Sequence, residues 1–238
     1  MLDFRHVHFY AHDSLPSIDK VVKQVVEVFT NCAIDVKGPL PLPDIEQARI
    51  SDIKQPFERQ PSEHQDFNLG GRQVALYDGF ELQKLLAREI ENDGIHVVFT
   101  DILACTFSED DWRYHARTVV CGTPAIISTT GIVEAPAKPM EFYAPLADRE
   151  SLKRKLAGRF IDYGDARMAD AAAGFALQTL FFFITDGEPF CENDSCRLYN
   201  AHWQEDVIRT QVENPALCLK HRSIAKKFNA RLAAKKRT

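Results

Sequence analysis

The chain has 238 residues, 45% of them hydrophobic and 26% charged, the balance of an ordinary globular protein with enough apolar mass for one substantial core. The longest apolar run, around Phe181–Ile184, falls far short of the ~20 residues of a membrane span, and the opening residues MLDFRHVHFY lack a signal peptide's apolar stretch, so a cytoplasmic location is expected. The formal net charge of −5 hides an asymmetry: residues 220–238 hold eight Lys/Arg and no Asp/Glu, which leaves 21 basic against 34 acidic side chains elsewhere.

Phe4–Tyr10 alternates in the manner of a strand, with Val7 and Phe9 facing a core and His6 and His8 on the opposite face, expected to be exposed rather than metal-bound. Pro16 and Ser17 open a helix whose face is Ile18, Val21, Val22, Val25, Val26 and Phe29, at a 3.6-residue period. A short strand is expected at Ala33–Val36. Residues 38–71 contain Pro39, Pro41, Pro43, Pro56 and Pro61 and read as a long irregular excursion with one short helix around Asp44–Ile50. Gln73–Tyr77 reads as a strand, and Leu82, Leu85, Leu86 and Ile90 mark a helix. The β-branched stretch His96–Thr100 reads as a buried strand, and Thr118–Cys121 and Ala125–Ser128 as two more, split by Gly122 and Pro124. Pro136, Pro139 and Pro145 mark a loop, and helical composition dominates from Arg149 to Thr185. The order predicts an α/β class: a mixed twisted sheet with packed helices over 1–185, then a helical part over 186–238. Within 220–238, Ile224, Phe228 and Leu232 give a solvated helix its apolar stripe, with contact to RNA, a ribosome or a membrane surface as the alternative use of so much positive charge.

Six cysteines in a reducing compartment argue for metal binding or burial rather than disulfides. Cys191 and Cys196 are separated by four residues, Cys218 and His221 by two, and 21 residues lie between the pairs. Two close pairs of thiolate and imidazole donors on separate loops are what a tetrahedral structural zinc site requires, so Cys191, Cys196, Cys218 and His221 are expected to hold one zinc ion and to clamp a helix near Trp203–Gln211. His202, inside that loop, competes for the fourth position. Cys32, Cys105 and Cys121 stand alone and are expected to pack in the core.

With these residues in place the chain resembles the archaemetzincin-like zinc metallopeptidases, and within them an archaeal group of metallopeptidase-like proteins. That family carries HExxHxxGxxHC, then a cysteine after four residues with a methionine two further on, then a closing CxxC pair. Anchored on Cys191, the window Leu180–Cys191 places Gly187 and Cys191 in register, Cys196 at the family's spacing, and Cys218 and His221 where the closing pair stands. The stretch VVFTDILACTFSEDDWRYHARTVVCGTPAIISTTGI is similar to the strand block that borders the substrate cleft. The resemblance implies a metzincin-like fold for residues 1–185 and a zinc-bound subdomain with a basic tail for 186–238. It also exposes a departure: the motif's three histidines and glutamate fall on Leu180, Ile184, Phe190 and Phe181, and Leu198 replaces the methionine. Apolar side chains neither ligate zinc nor take a proton from bound water. The expectation is therefore a metallopeptidase-like protein that has lost peptidase activity and binds an unknown protein or peptide partner, with no membrane involved and no catalytic residue carried over.

Two other readings stay open. A hydrolytic site rebuilt from polar residues would draw on Asp101, the charged stretch Glu109, Asp110, Asp111, Arg113, His115 and Arg117, and Asn200 and His202, with His115 and His202 as the metal pair. Read without chemistry, 109–117 is a solvated loop. An RNA- or ribosome-associated factor would use residues 220–238. No Gly-rich phosphate loop and no GxSxG elbow is present.

Overall fold

The computed structural model describes residues 4–42, 44–57, 66–69, 72–143 and 149–235. Within the Pro-rich excursion, residues 43, 58–65 and 70–71 lie outside the described residues, as do residues 1–3, residues 144–148 with Pro145, where a loop is expected, and the last three residues of the basic tail. In chain order the elements are β1 (His6–Tyr10), α1 (Ile18–Val28), β2 (Ala33–Lys37), β3 (Phe67–Leu69), β4 (Arg72–Val74), β5 (Leu76–Asp78), α2 (Gly79–Leu86), β6 (Ile95–Thr100), β7 (Leu103–Ser108), β8 (Arg113–Ala116), β9 (Val119–Val120), β10 (Ala125–Ser128), α3 (Thr129–Glu134), α4 (Arg149–Lys155), α5 (Met168–Ile184), α6 (Gln204–Val207) and α7 (Leu219–Lys235). The short helix expected at Asp44–Ile50 is a 3₁₀ turn at Ile45–Ala48.

The main sheet runs β2-β1-β6-β10-β9. Its first four strands are parallel and β9 closes the row antiparallel to β10. A second sheet runs β5-β7-β8, and β3 pairs with β4. The protein is therefore a mixed α/β fold with helices packed on its sheet, as the element order predicts.

One face of the main sheet carries Val7, Phe9, Val97, Phe99 and Ile127 into a core shared with α1, α5 and α7. The other face carries Tyr10, Val98 and Ile126 against Leu82, Leu85 and Leu86 of α2. Helix α5, MADAAAGFALQTLFFFI, is apolar almost all round because it is enclosed almost all round: every residue from Ala171 to Phe181 is buried. Ser17 caps α1, its side chain accepting from Lys20 N at 3.2 Å. Ser128 caps α3 the same way, accepting from Gly131 N at 2.8 Å. Glycine is required at that position: a Cβ on Gly131 would stand 2.3 Å from the carbonyl oxygen of Arg117.

Several sequence expectations change. His8 is buried, not exposed, because β1 lies inside the sheet and both its faces are covered; His6, one step earlier, is exposed. Val26 is 40% exposed, since it sits one residue past the inward-facing Val25 and turns off the contact face. The charged stretch 109–117 is not a plain loop: β7 and β8 form a hairpin in which Phe107 faces Tyr114 and Ser108 faces Arg113, with only 109–112 as the turn. Gln73–Tyr77 divides into β4 and β5, which join different sheets. The helical stretch 149–185 breaks between α4 and α5, where Gly158 and Gly164 take positive φ. The basic C-terminal segment is a core helix as far as Lys235: His221, Ala225, Phe228 and Leu232 are buried, while Lys220, Arg222, Lys226 and Lys227 face solvent. Residues on both sides of position 185 contribute to one core.

Candidate metal centre

Helix α5 ends in a tight reversal that sends the chain back along it. Asp186 and Gly187 take positive φ, and Thr185 Oγ1 donates to Phe181 O at 2.7 Å and can bond Glu188 O at 2.6 Å. The reversal delivers Cys191 to a loop that closes on itself: Cys191 N donates to Leu198 O at 2.8 Å and Cys196 N to Asn193 O at 2.9 Å. Arg197 anchors the loop from inside. Its guanidinium reaches Gln24 of α1 and the Asp170 carbonyl at the start of α5, and its backbone N–H donates to Ala216 O at 2.8 Å. Burial holds that guanidinium down to about 10. Gln211, in the π-helical turn Ile208–Glu213 that continues α6, donates to Arg197 O at 2.7 Å. The helix between the two pairs is therefore in place where the spacing predicts it, fastened to the first pair's loop. The second pair sits at the start of α7, with His221 on its first turn.

These elements bring four donor atoms together. The sulfurs of Cys191, Cys196 and Cys218 and a nitrogen of His221 all lie within 4.8 Å of one another. Cys191 Sγ is 3.9 Å from Cys218 Sγ, and His221 Nδ1 is 3.2 Å from Cys218 Sγ and 3.6 Å from Cys196 Sγ. Around a tetrahedral zinc with ordinary bond lengths, sulfur–sulfur edges are about 3.8 Å and sulfur–nitrogen edges about 3.5 Å. Backbone N–H groups already point at the sulfurs: Asn193 N donates to Cys191 Sγ and Cys218 N to Cys196 Sγ, each at 3.4 Å. Burial pushes the Cys196 thiol up to about 12 and the His221 imidazole down. Burial also raises the Cys218 thiol, but the backbone N–H groups of His221 and Lys220 and the neighbouring thiols outweigh it, and the net shift is downward. Three thiols and one imidazole, three of the four residues buried, are a donor set that fits zinc. His202 is not among them. It is exposed, next to Trp203, which bridges to Ala137, and it lines a cleft instead.

That cleft, about 120 Å³, lies between the sheet edge at Arg117, Thr118 and Val119 and the far wall formed by Phe190, Asn200 and His202. His115 does not line it: its Nε2 pairs with Asp111 Oδ1 at 2.8 Å in the β7–β8 hairpin, and that contact together with Arg113 holds the Asp111 carboxyl below its usual range. Asp101 pairs with His12, Oδ1 to Nε2, at 3.6 Å. Among the described residues two groups of ligand-type side chains converge, the cysteine–histidine group and a second at His8, Asp93 and His96, and neither contains His115 or His202. Sequence reasoning missed the second group. The available signals were the His-Val-His of β1 and an Asp-Gly-Ile-His turn entering β6.

A sequence profile described as "Probable metallopeptidase family (DUF6775)" matches residues 3–228. The chain belongs to that family. It is also similar to the solved zinc-dependent peptidase from Methanocorpusculum labreanum, at 12% identity, over 92% of this chain and 98% of that one, with a TM-score of 0.48. No curated protein matches it. No helix among the described residues is long and apolar enough to cross a membrane.

Membership in a metallopeptidase family raises the question of a catalytic ion. The four positions that the archaemetzincin resemblance sets against its catalytic motif carry side chains without donor atoms. Leu180, Phe181 and Ile184 are fully buried in α5, and Phe190 is 40% exposed at the cleft wall. A zinc ion does not fit there, and no hydrolytic step follows from that position.

Proposed function

We propose that this family member is an archaemetzincin-like protein in which one zinc ion on Cys191, Cys196, Cys218 and His221 holds the fold together, that it does not cleave peptides, and that it works by binding a peptide or protein partner. The enclosed α5 helix carries the reading. Its middle and end supply no ligand and no proton acceptor, and Phe181 packs edge-on against both Phe29, at 5.5 Å between ring centroids, and His221, at 5.4 Å. Phe181, one of those positions, thus packs against the ring of a proposed zinc ligand. Partner binding is supported by the cleft beside β9: β9 is the last strand of the main sheet, and a strand edge next to a groove suits an extended peptide.

The test is to expose the purified zinc-loaded protein to a diverse peptide library with and without a chelator, reading both cleavage and retention. Peptides retained intact, and no chelator-sensitive cleavage, are expected. Chelator-sensitive cleavage overturns the loss of activity, and a library that passes with no retention overturns the peptide-binding role.

A further inference from the structure

A second set of ligand atoms converges where β1 and β6 lie side by side, away from the cysteines in sequence and built on different elements. His8 and His96 are direct register partners on these parallel strands, and their rings stack with centroids 4.8 Å apart. Alternation puts them on the same sheet face as Tyr10 and Val98. Both are buried, His8 at 7% exposure and His96 at 0%. Asp93, in the turn entering β6, reaches both: its Oδ2 is 3.2 Å from His8 Nε2 and its Oδ1 3.1 Å from His96 Nε2. Despite these short contacts, neither buried Nε2 has a hydrogen-bond partner. Two buried imidazoles aimed at one carboxylate without bonding it are an unsatisfied arrangement that an ion between them would complete.

We propose that His8, Asp93 and His96 form a binding site for a divalent first-row transition-metal ion. The spacing fits: ligand atoms sharing an ion at ordinary bond lengths of about 2.1 Å are about 3.0 Å apart in octahedral and about 3.4 Å apart in tetrahedral geometry, and the two nitrogen–oxygen distances fall between. The back of each ring is held. His8 Nδ1 donates to Asp35 Oδ2 at 3.3 Å, and His96 Nδ1 meets the Tyr10 hydroxyl at 3.1 Å. These contacts hold both rings from behind, the way outer partners orient ligand histidines, and the tautomer with the proton on Nδ1 leaves each Nε2 lone pair for an ion. The turn is fixed as well: a Cβ on Gly94 would stand 2.6 Å from His6 O, so the backbone next to Asp93 is pressed against β1. Two imidazoles and one carboxylate favour zinc, iron(II), cobalt or nickel over magnesium or calcium. The Asp93 side chain is 43% exposed, which leaves the remaining coordination positions open to water.

The site stands apart from the cysteine centre, and its test reads only a difference. Wild type, Asp93→Asn and His96→Gln are dialysed to equilibrium against Zn²⁺, and metal per chain is counted by mass spectrometry. Wild type should bind one equivalent more than either variant, or bind that equivalent on the order of 100-fold more tightly. Asp93→Asn alters a partly exposed side chain and keeps the test valid if the buried His96→Gln variant does not fold. Equal uptake and equal affinity in wild type and Asp93→Asn overturns the proposal, whatever the cysteines bind.

Discussion

Replacing Cys196 with serine should strip zinc from the cysteine centre and lower the melting temperature by roughly 10–20 °C. Cys196 is fully buried, its sulfur lies 3.6 Å from His221 Nδ1, and it accepts a hydrogen bond from the Cys218 backbone. Ser is a poor zinc ligand, so the two pairs would no longer be joined. Metal binding in such sites is coupled to folding, and loss of only ~5 kcal/mol of that coupling, at ~2–4 °C per kcal/mol for a domain of this size, gives the stated fall. Chelator treatment of the wild type should reproduce the effect, because it removes the same ion. Thermal unfolding with metal analysis reads both. A variant that keeps its zinc and its melting temperature would show that Cys196 is simply a buried thiol.

Phe181→Ala should cost about 3–5 kcal/mol of stability, the range for emptying a fully enclosed aromatic site. Phe181 has no exposed surface and touches the rings of Phe29 and His221, so the substitution leaves a hole between α1, α5 and the start of α7. It should weaken zinc retention as well, because the ring that braces the His221 imidazole is gone. Urea unfolding measures the first effect and competition with a chelator the second. If position 181 belonged to an open polar cleft, as the glutamate of a working peptidase does, alanine would change stability by less than about 0.5 kcal/mol.

The convergence of the two cysteine–histidine pairs was legible because their chemistry is local: two donors within six residues, twice, need little knowledge of the fold. Helix α1 and strands β1, β6 and β10 were legible because period-3.6 and period-2 patterns survive in single segments. The second histidine group was not. His8 alternates with Val7 and Phe9, which reads as a polar face turned to water, but β1 lies between β2 and β6 and α2 covers that face. A parallel strand in mid-sheet buries both sides, and periodicity cannot report which side a neighbour will cover. His96 was hidden for the converse reason, as one polar residue in a run already read as buried. The β7–β8 hairpin was missed because its turn, Glu109–Trp112, carries the charge that drew attention, while the pairing that defines it joins Phe107 to Tyr114 across that turn.

The proposal of a structural zinc site without a catalytic one turns on where metal sits in this molecule. Anomalous scattering at the zinc edge from crystals of the protein purified without added chelator locates it directly. The account predicts a peak bounded by Cys191, Cys196, Cys218 and His221, and none in contact with Leu180, Phe181 or Ile184. No peak at the cysteines, or a peak lodged against α5 at those three residues, would contradict it.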